Sequence, residues 1–159
     1  MNSIITDAYP LFELYQDLRN QLTAILVDED LSFRPGGDNP SLGELCRQIG
    51  EIEQSYIDSF KSFKQDFSYR NQEAGLQNSI SQLNVWFETL DQDLKRVIES
   101  LAEDTIQNKT IDRGGGFTVS PRVQLEIYKE ALLIFYGKTI VYLKIMGKPL
   151  PKQWQDWID

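Results

Sequence analysis

The chemistry open to this chain is narrowed by what its side chains can donate. It contains no histidine and one cysteine, Cys46. The commonest transition-metal ligand and the usual base for a serine nucleophile are therefore both missing. Carboxylates remain. Glu126 and Glu130 are four residues apart, and Glu51 and Glu53 are two apart in a second helical pattern. Ferritin-like metal bundles combine inward glutamates with Glu-x-x-His pairs on facing helices, and the histidine half of that arrangement is impossible here. By helical angle Glu130 points away from the side carrying Ala131 and Phe135, so this spacing reads as a solvated charged face. Glu53 differs, because it interrupts the apolar stripe of Ile49, Tyr56 and Phe60 and so needs a partner. Paired carboxylates of the glycosidase kind have no spacing signature, and the glycines of DRGGG fit neither GxGxxG nor GxxxxGK[ST]. Cys46 reads as a small core thiol.

Four helical stretches must position these residues. The first is expected over residues 9–27, with Leu11, Leu14, Leu18, Leu22, Ile25 and Leu26 as its buried stripe. The second starts at a capping box of Ser41 and Glu44 and runs to about residue 63, with Leu45, Ile49, Ile52, Tyr56, Phe60 and Phe63 inward. The third covers 78–101. The fourth is capped by Ser120 and Pro121, ends at Gly147, and covers 121–146. β-Branched residues on both sides of DRGGG permit a short hairpin before it. These elements imply an all-α antiparallel four-helix bundle forming one domain over 1–159, with connections long enough to leave the helix order open.

Two stretches carry a family resemblance. RPGGDNPSLGELCRQIGEIEQSYI (34–57) and ALLIFYGKTIVYLKIMGKPLPKQW (131–154) resemble the second-helix and last-helix segments of the DinB-like (YfiT-like, damage-inducible) four-helix family of metal-dependent enzymes. The resemblance places that family's three metal histidines on Gln48, Ala131 and Phe135, and its Arg-Gly-Gln on Tyr136, Gly137 and Lys138. Alanine and phenylalanine offer a metal nothing, and a neutral amide does not hold a transition metal by itself. No metal and no cofactor are expected. What the resemblance implies is a bundle whose metal centre is lost, with Gln48, Glu53, Tyr56, Phe135, Lys138 and Tyr142 as candidates to line a vestigial pocket. Lys138 is the expected counter-charge for Glu53.

Sixteen basic residues face twenty-four acidic ones, a net charge of -8, which argues against nucleic acid and anionic membranes as partners. No apolar run is long enough to span a bilayer and the start MNSIITDAYPLF lacks a basic leader, so a cytoplasmic protein is expected. Leu132, Leu133, Tyr136, Ile140 and Leu143 give the last helix a second apolar side. Either a second copy of the chain or a folded-back tail carrying Trp154 and Trp157 must cover it. The function expected is that of a non-catalytic binding protein, a homodimer with a candidate small-molecule ligand. The alternative is an enzyme of the family's thiol-transferase or hydrolase kind that works without metal or with one held by carboxylates.

Overall fold

The computed structural model describes residues 1–158; Asp159, the last residue of the expected domain, lies outside them. Four long helices form the bundle: α1 (Tyr9–Ala24), α2 (Leu42–Ser62), α3 (Ile80–Glu99) and α5 (Pro121–Ile145). Between α3 and α5 lie a short helix, α4 (Glu103–Asn108), and a two-stranded hairpin of β1 (Ile111–Asp112) and β2 (Thr118–Val119). A last helix, α6 (Lys152–Ile158), closes the described chain.

The ends of these helices are set by local chemistry. Ser41 Oγ accepts from the Glu44 N–H at 3.1 Å while the Ser41 N–H donates to Glu44 Oε2 at 2.7 Å, satisfying two donors that the first turn of α2 would otherwise leave open. Ser120 caps α5 through the Val123 N–H, with Pro121 at the first helical position. At the other end Gly147 takes φ 70, and the N–H groups of Gly147 and Lys148 turn back to the carbonyls of Lys144 and Leu143. That is a Schellman stop, and it needs a residue free to adopt positive φ.

Helix order follows from which side chains meet. α1 packs between α3 and α5, and α2 packs between the same two, so α1 and α2 occupy opposite corners. Glu13 meets Lys95 while Arg19 lies over Phe87, which makes α1 and α3 antiparallel. Tyr56 stacks on Tyr128 while Tyr142 reaches the Pro40 carbonyl, which makes α2 and α5 antiparallel. The two remaining neighbour pairs, α1 with α5 and α2 with α3, run parallel. A parallel α2–α3 pair requires the chain to travel back along α2. Residues 63–79 do this: Gln65 donates to the Asp112 carbonyl of the hairpin, Asn71 donates to Glu51, and Gln77 reaches Gly43 near the start of α2. No side chain fits at Gly43, where a Cβ would stand 1.8 Å from the Gln77 carbonyl oxygen.

Two expectations change. The buried face of α1 is Tyr9, Phe12, Gln16, Leu18, Arg19, Leu22 and Thr23, while Leu11 and Leu14 are more than half exposed. The helix is turned so that Gln16 and Arg19 face the core, where both meet Asp91 and Glu53. The second apolar side of α5 is largely buried within the single chain, and the tail covers it at Tyr136. Leu132, Tyr136 and Leu143 are buried, and the Trp154 ring packs edge-on to Tyr136 at 5.4 Å. Trp157 stays exposed, as do Leu133, Ile134, Val141 and Ile145 on the outer surface of α5.

Candidate functional site

Two places in the bundle hold the residues singled out by sequence. The first is its polar centre. Glu53 is fully buried, and its Oε2 accepts from Arg19 Nη1 at 2.8 Å. The other terminal nitrogen of Arg19 reaches Asp91 Oδ2 at 2.6 Å. Gln16 Nε2 donates to Asp91 Oδ1 at 2.6 Å and lies 3.4 Å from Glu53 Oε1. The Arg19 guanidinium also lies over the Phe87 ring, 4.3 Å from its centroid. The buried Tyr128 hydroxyl is beside Glu53 without a hydrogen bond of good geometry. One cation thus serves two carboxylates. Burial raises the Glu53 carboxyl to about 8 against the pull of Arg19, with Asp91 adding to the rise, and burial raises Asp91 as well. The cluster is close to neutral when Glu53 holds a proton and Arg19 pairs with ionised Asp91.

The cation beside Glu53 is accordingly Arg19, not Lys138. Lys138 is exposed on α5, separated from Glu53 because the two residues face different sides of the α2–α5 contact. Sequence periodicity found Glu53 as a carboxylate in an apolar stripe but passed over Arg19 and Gln16. The signal for them was the spacing of Phe12, Gln16, Arg19 and Thr23, which keeps a helical face while mixing apolar and polar types.

The second place is a groove between α2 and α5. Gln48, Ala131 and Phe135 line it together, with Ile52, Ile134 and Lys138, around a cavity of about 50 Å³. These are the three positions that the family resemblance assigns to metal ligands. Their donors do not fit a metal: one amide faces a methyl group and a phenyl ring. Neighbouring carboxylates are committed elsewhere. Glu51 lies 3.4 Å from Arg47 and 3.9 Å from Arg70 and accepts the Asn71 N–H, Glu53 points into the core, and Glu126 pairs with Lys129. Among the described residues no group of three or more His, Cys, Asp or Glu is placed to hold a metal ion. Of the other candidates, Tyr56 is buried against Tyr128 beyond the groove, and Tyr142 is buried toward Phe33 with its hydroxyl on the Pro40 carbonyl. Cys46 is fully buried, and burial pushes its thiol up to about 12, so it is no nucleophile.

A helical bundle with this helix order, a returning α2–α3 segment and a hairpin before the last long helix has the DinB-like fold. A solved DinB-like protein from Bacillus subtilis, YjoA, superposes with a TM-score of 0.67 at 21% sequence identity, over 86% of this chain and 90% of that one. No protein-family model matches the sequence, and no curated protein matches it significantly.

Proposed function

We propose that this chain is a non-catalytic binding protein, a DinB-like bundle that works without the metal centre of its fold relatives. The observation that carries this reading is the groove itself: Gln48, Ala131 and Phe135 converge on one cavity, yet only Gln48 offers a donor atom. A transition metal held there would have one neutral oxygen from the protein and water for the rest, which is no advantage over free solution. Enzymatic use of carboxylates is disfavoured by the same geometry, because Glu53 is bound to Arg19 and Glu51 is flanked by two arginines.

Metal analysis tests the reading directly. The protein purified without chelator, then exposed to zinc, nickel or iron(II) and desalted, is expected to retain far less than one ion per chain. One tightly held ion per chain that resists mild chelation would overturn it. The same reading includes self-association through the outer surface of α5 and a cytoplasmic location. In support of the latter, the lone thiol is buried without a disulfide partner and no described helix is long and apolar enough to cross a membrane.

A further inference from the structure

Beside the groove the structure opens a wider cleft whose charge runs against that of the whole molecule. Arg34, Arg47, Arg70 and Lys138 line it, with Gln48 in its wall and a volume of about 570 Å³. That is within the range of small-molecule sites. The carboxylates in its lining are Asp38, Glu44 and Glu51, so four cations meet three anions in a chain that carries sixteen basic and twenty-four acidic residues. These carboxylates leave the cations under-neutralised. Arg34 pairs with Glu44 at 2.8 Å. Glu51 is shared between Arg47 and Arg70 at the longer distances of 3.4 and 3.9 Å, and Asp38 is exposed. No hydrogen bond or ion pair is formed by Lys138 among the described residues.

Arg70 is also held in place. Its Nη1 donates to the carbonyls of Phe67 at 2.8 Å and Tyr69 at 2.5 Å, which fixes the guanidinium on the returning segment while Nη2 remains available. Gln48 and Lys138 line the cleft and the apolar groove alike, so the two are continuous. The groove side adds Leu45, Ile49, Ile52, Ala131, Ile134 and Phe135, a wall for carbon rather than charge.

From this juxtaposition we infer that the cleft binds a small organic oxyanion, a phosphomonoester or carboxylate, with its charged head between Arg47, Arg70 and Lys138 and a short apolar body along the groove. Guanidinium groups suit such heads because their paired N–H donors match two oxygens at once. Lys138 supplies the charge that no carboxylate in the cleft neutralises. The inference rests on the binding-protein reading and gives it a ligand class.

Isothermal titration calorimetry of the full chain with hexyl phosphate, hexanoate, hexylammonium and inorganic phosphate tests it. Hexyl phosphate and hexanoate are expected to bind, the tighter one identifying the head group, and hexylammonium to give no heat. Inorganic phosphate is expected to bind more weakly than hexyl phosphate, because it leaves the groove unfilled. Lys138→Gln and Arg70→Gln should each weaken hexyl phosphate about tenfold, the order expected for a hydrogen bond to a charged group, whereas Lys95→Gln, on the far side of the bundle, should not. Absence of anion binding at millimolar concentration would overturn the inference. So would equal binding of hexylammonium, equal affinity for inorganic phosphate, or affinity that survives the Lys138→Gln/Arg70→Gln double change. Any of these in a chain that still retains no metal leaves the binding-protein reading standing. A stoichiometric metal overturns that reading whatever the anions do.

Discussion

Arg19 decides how the centre of this bundle is held. A guanidinium with no exposed surface between a fully buried carboxylate and a largely buried one is tolerable only while all three are present. Replacing Arg19 by Met leaves two inward carboxylates without a cation and should lower the unfolding free energy by about 3 to 5 kcal/mol, measured by urea denaturation near neutral pH. The pH dependence has a definite sign. Glu53 is raised by burial to about 8 in the folded state and returns to the ordinary carboxylate range when unfolded, so between these limits the folded protein holds the extra proton. Its contribution is fully present below the unfolded value and is lost as pH rises toward 8. Stability should therefore decline from about pH 5 to pH 8, with a limiting slope near 1.4 kcal/mol per pH unit for one proton, and Glu53→Gln should flatten the decline. A Glu53→Gln protein with the parental pH profile would show that the proton sits elsewhere. Of this cluster only Glu53 was legible in the sequence. A carboxylate among Ile49, Tyr56 and Phe60 stands out, whereas an arginine and a glutamine on a helix whose leucines offer an alternative buried stripe do not. The counter-charge assigned from the family position, Lys138, failed because proximity along a motif says nothing about a residue on another helix.

At the scale of elements, helix ends were readable and helix neighbours were not. Ser41, Glu44, Ser120, Pro121 and Gly147 act through atoms a few residues away, so their effect is written locally. The parallel α2–α3 pair depends on where residues 63–79 travel, and the contacts that fix them, such as Asn71 with Glu51 and Gln77 with Gly43, join distant parts of the chain. Two glycines of α2 record this packing. A methyl group at Gly43 would meet a backbone carbonyl at 1.8 Å, whereas at Gly50 it would meet the Trp86 ring at 2.4 Å. A partly exposed indole can swing aside, but the carbonyl can move only with its segment. Gly43→Ala should therefore destabilise by about 1 to 3 kcal/mol despite the better helix propensity of alanine, and Gly50→Ala by less. Thermal and denaturant unfolding of the two variants would check the ranking, and a Gly43→Ala protein at least as stable as the parent would mean that the α2–α3 return does not press on α2. The groove was legible for a related reason: Gln48, Ala131 and Phe135 each follow a local motif on a long helix, and the antiparallel α2–α5 contact brings those motifs together.

For the whole molecule the open question is what covers α5. Leu132, Tyr136 and Leu143 are buried within the single chain, Tyr136 under Trp154 of the tail, which removes the side on which a dimer was first expected. This packing leaves Val141 and Ile145 exposed at 54% and 57%, one turn apart on the helix beyond Lys138. A pair of this kind is self-complementary about a two-fold axis, since each copy offers the other the same apolar surface. We therefore expect a dimer through α5 against α5 at micromolar concentration, seen by light scattering. Val141→Glu together with Ile145→Glu places four carboxylates across a two-fold contact and should yield a monomer with nearly the parental unfolding midpoint when that midpoint is measured at low protein concentration, because both side chains already face solvent in the single chain. A parent protein that is monomeric throughout the micromolar range, or a double variant that still dimerises, would mean that this part of α5 is not where two copies meet.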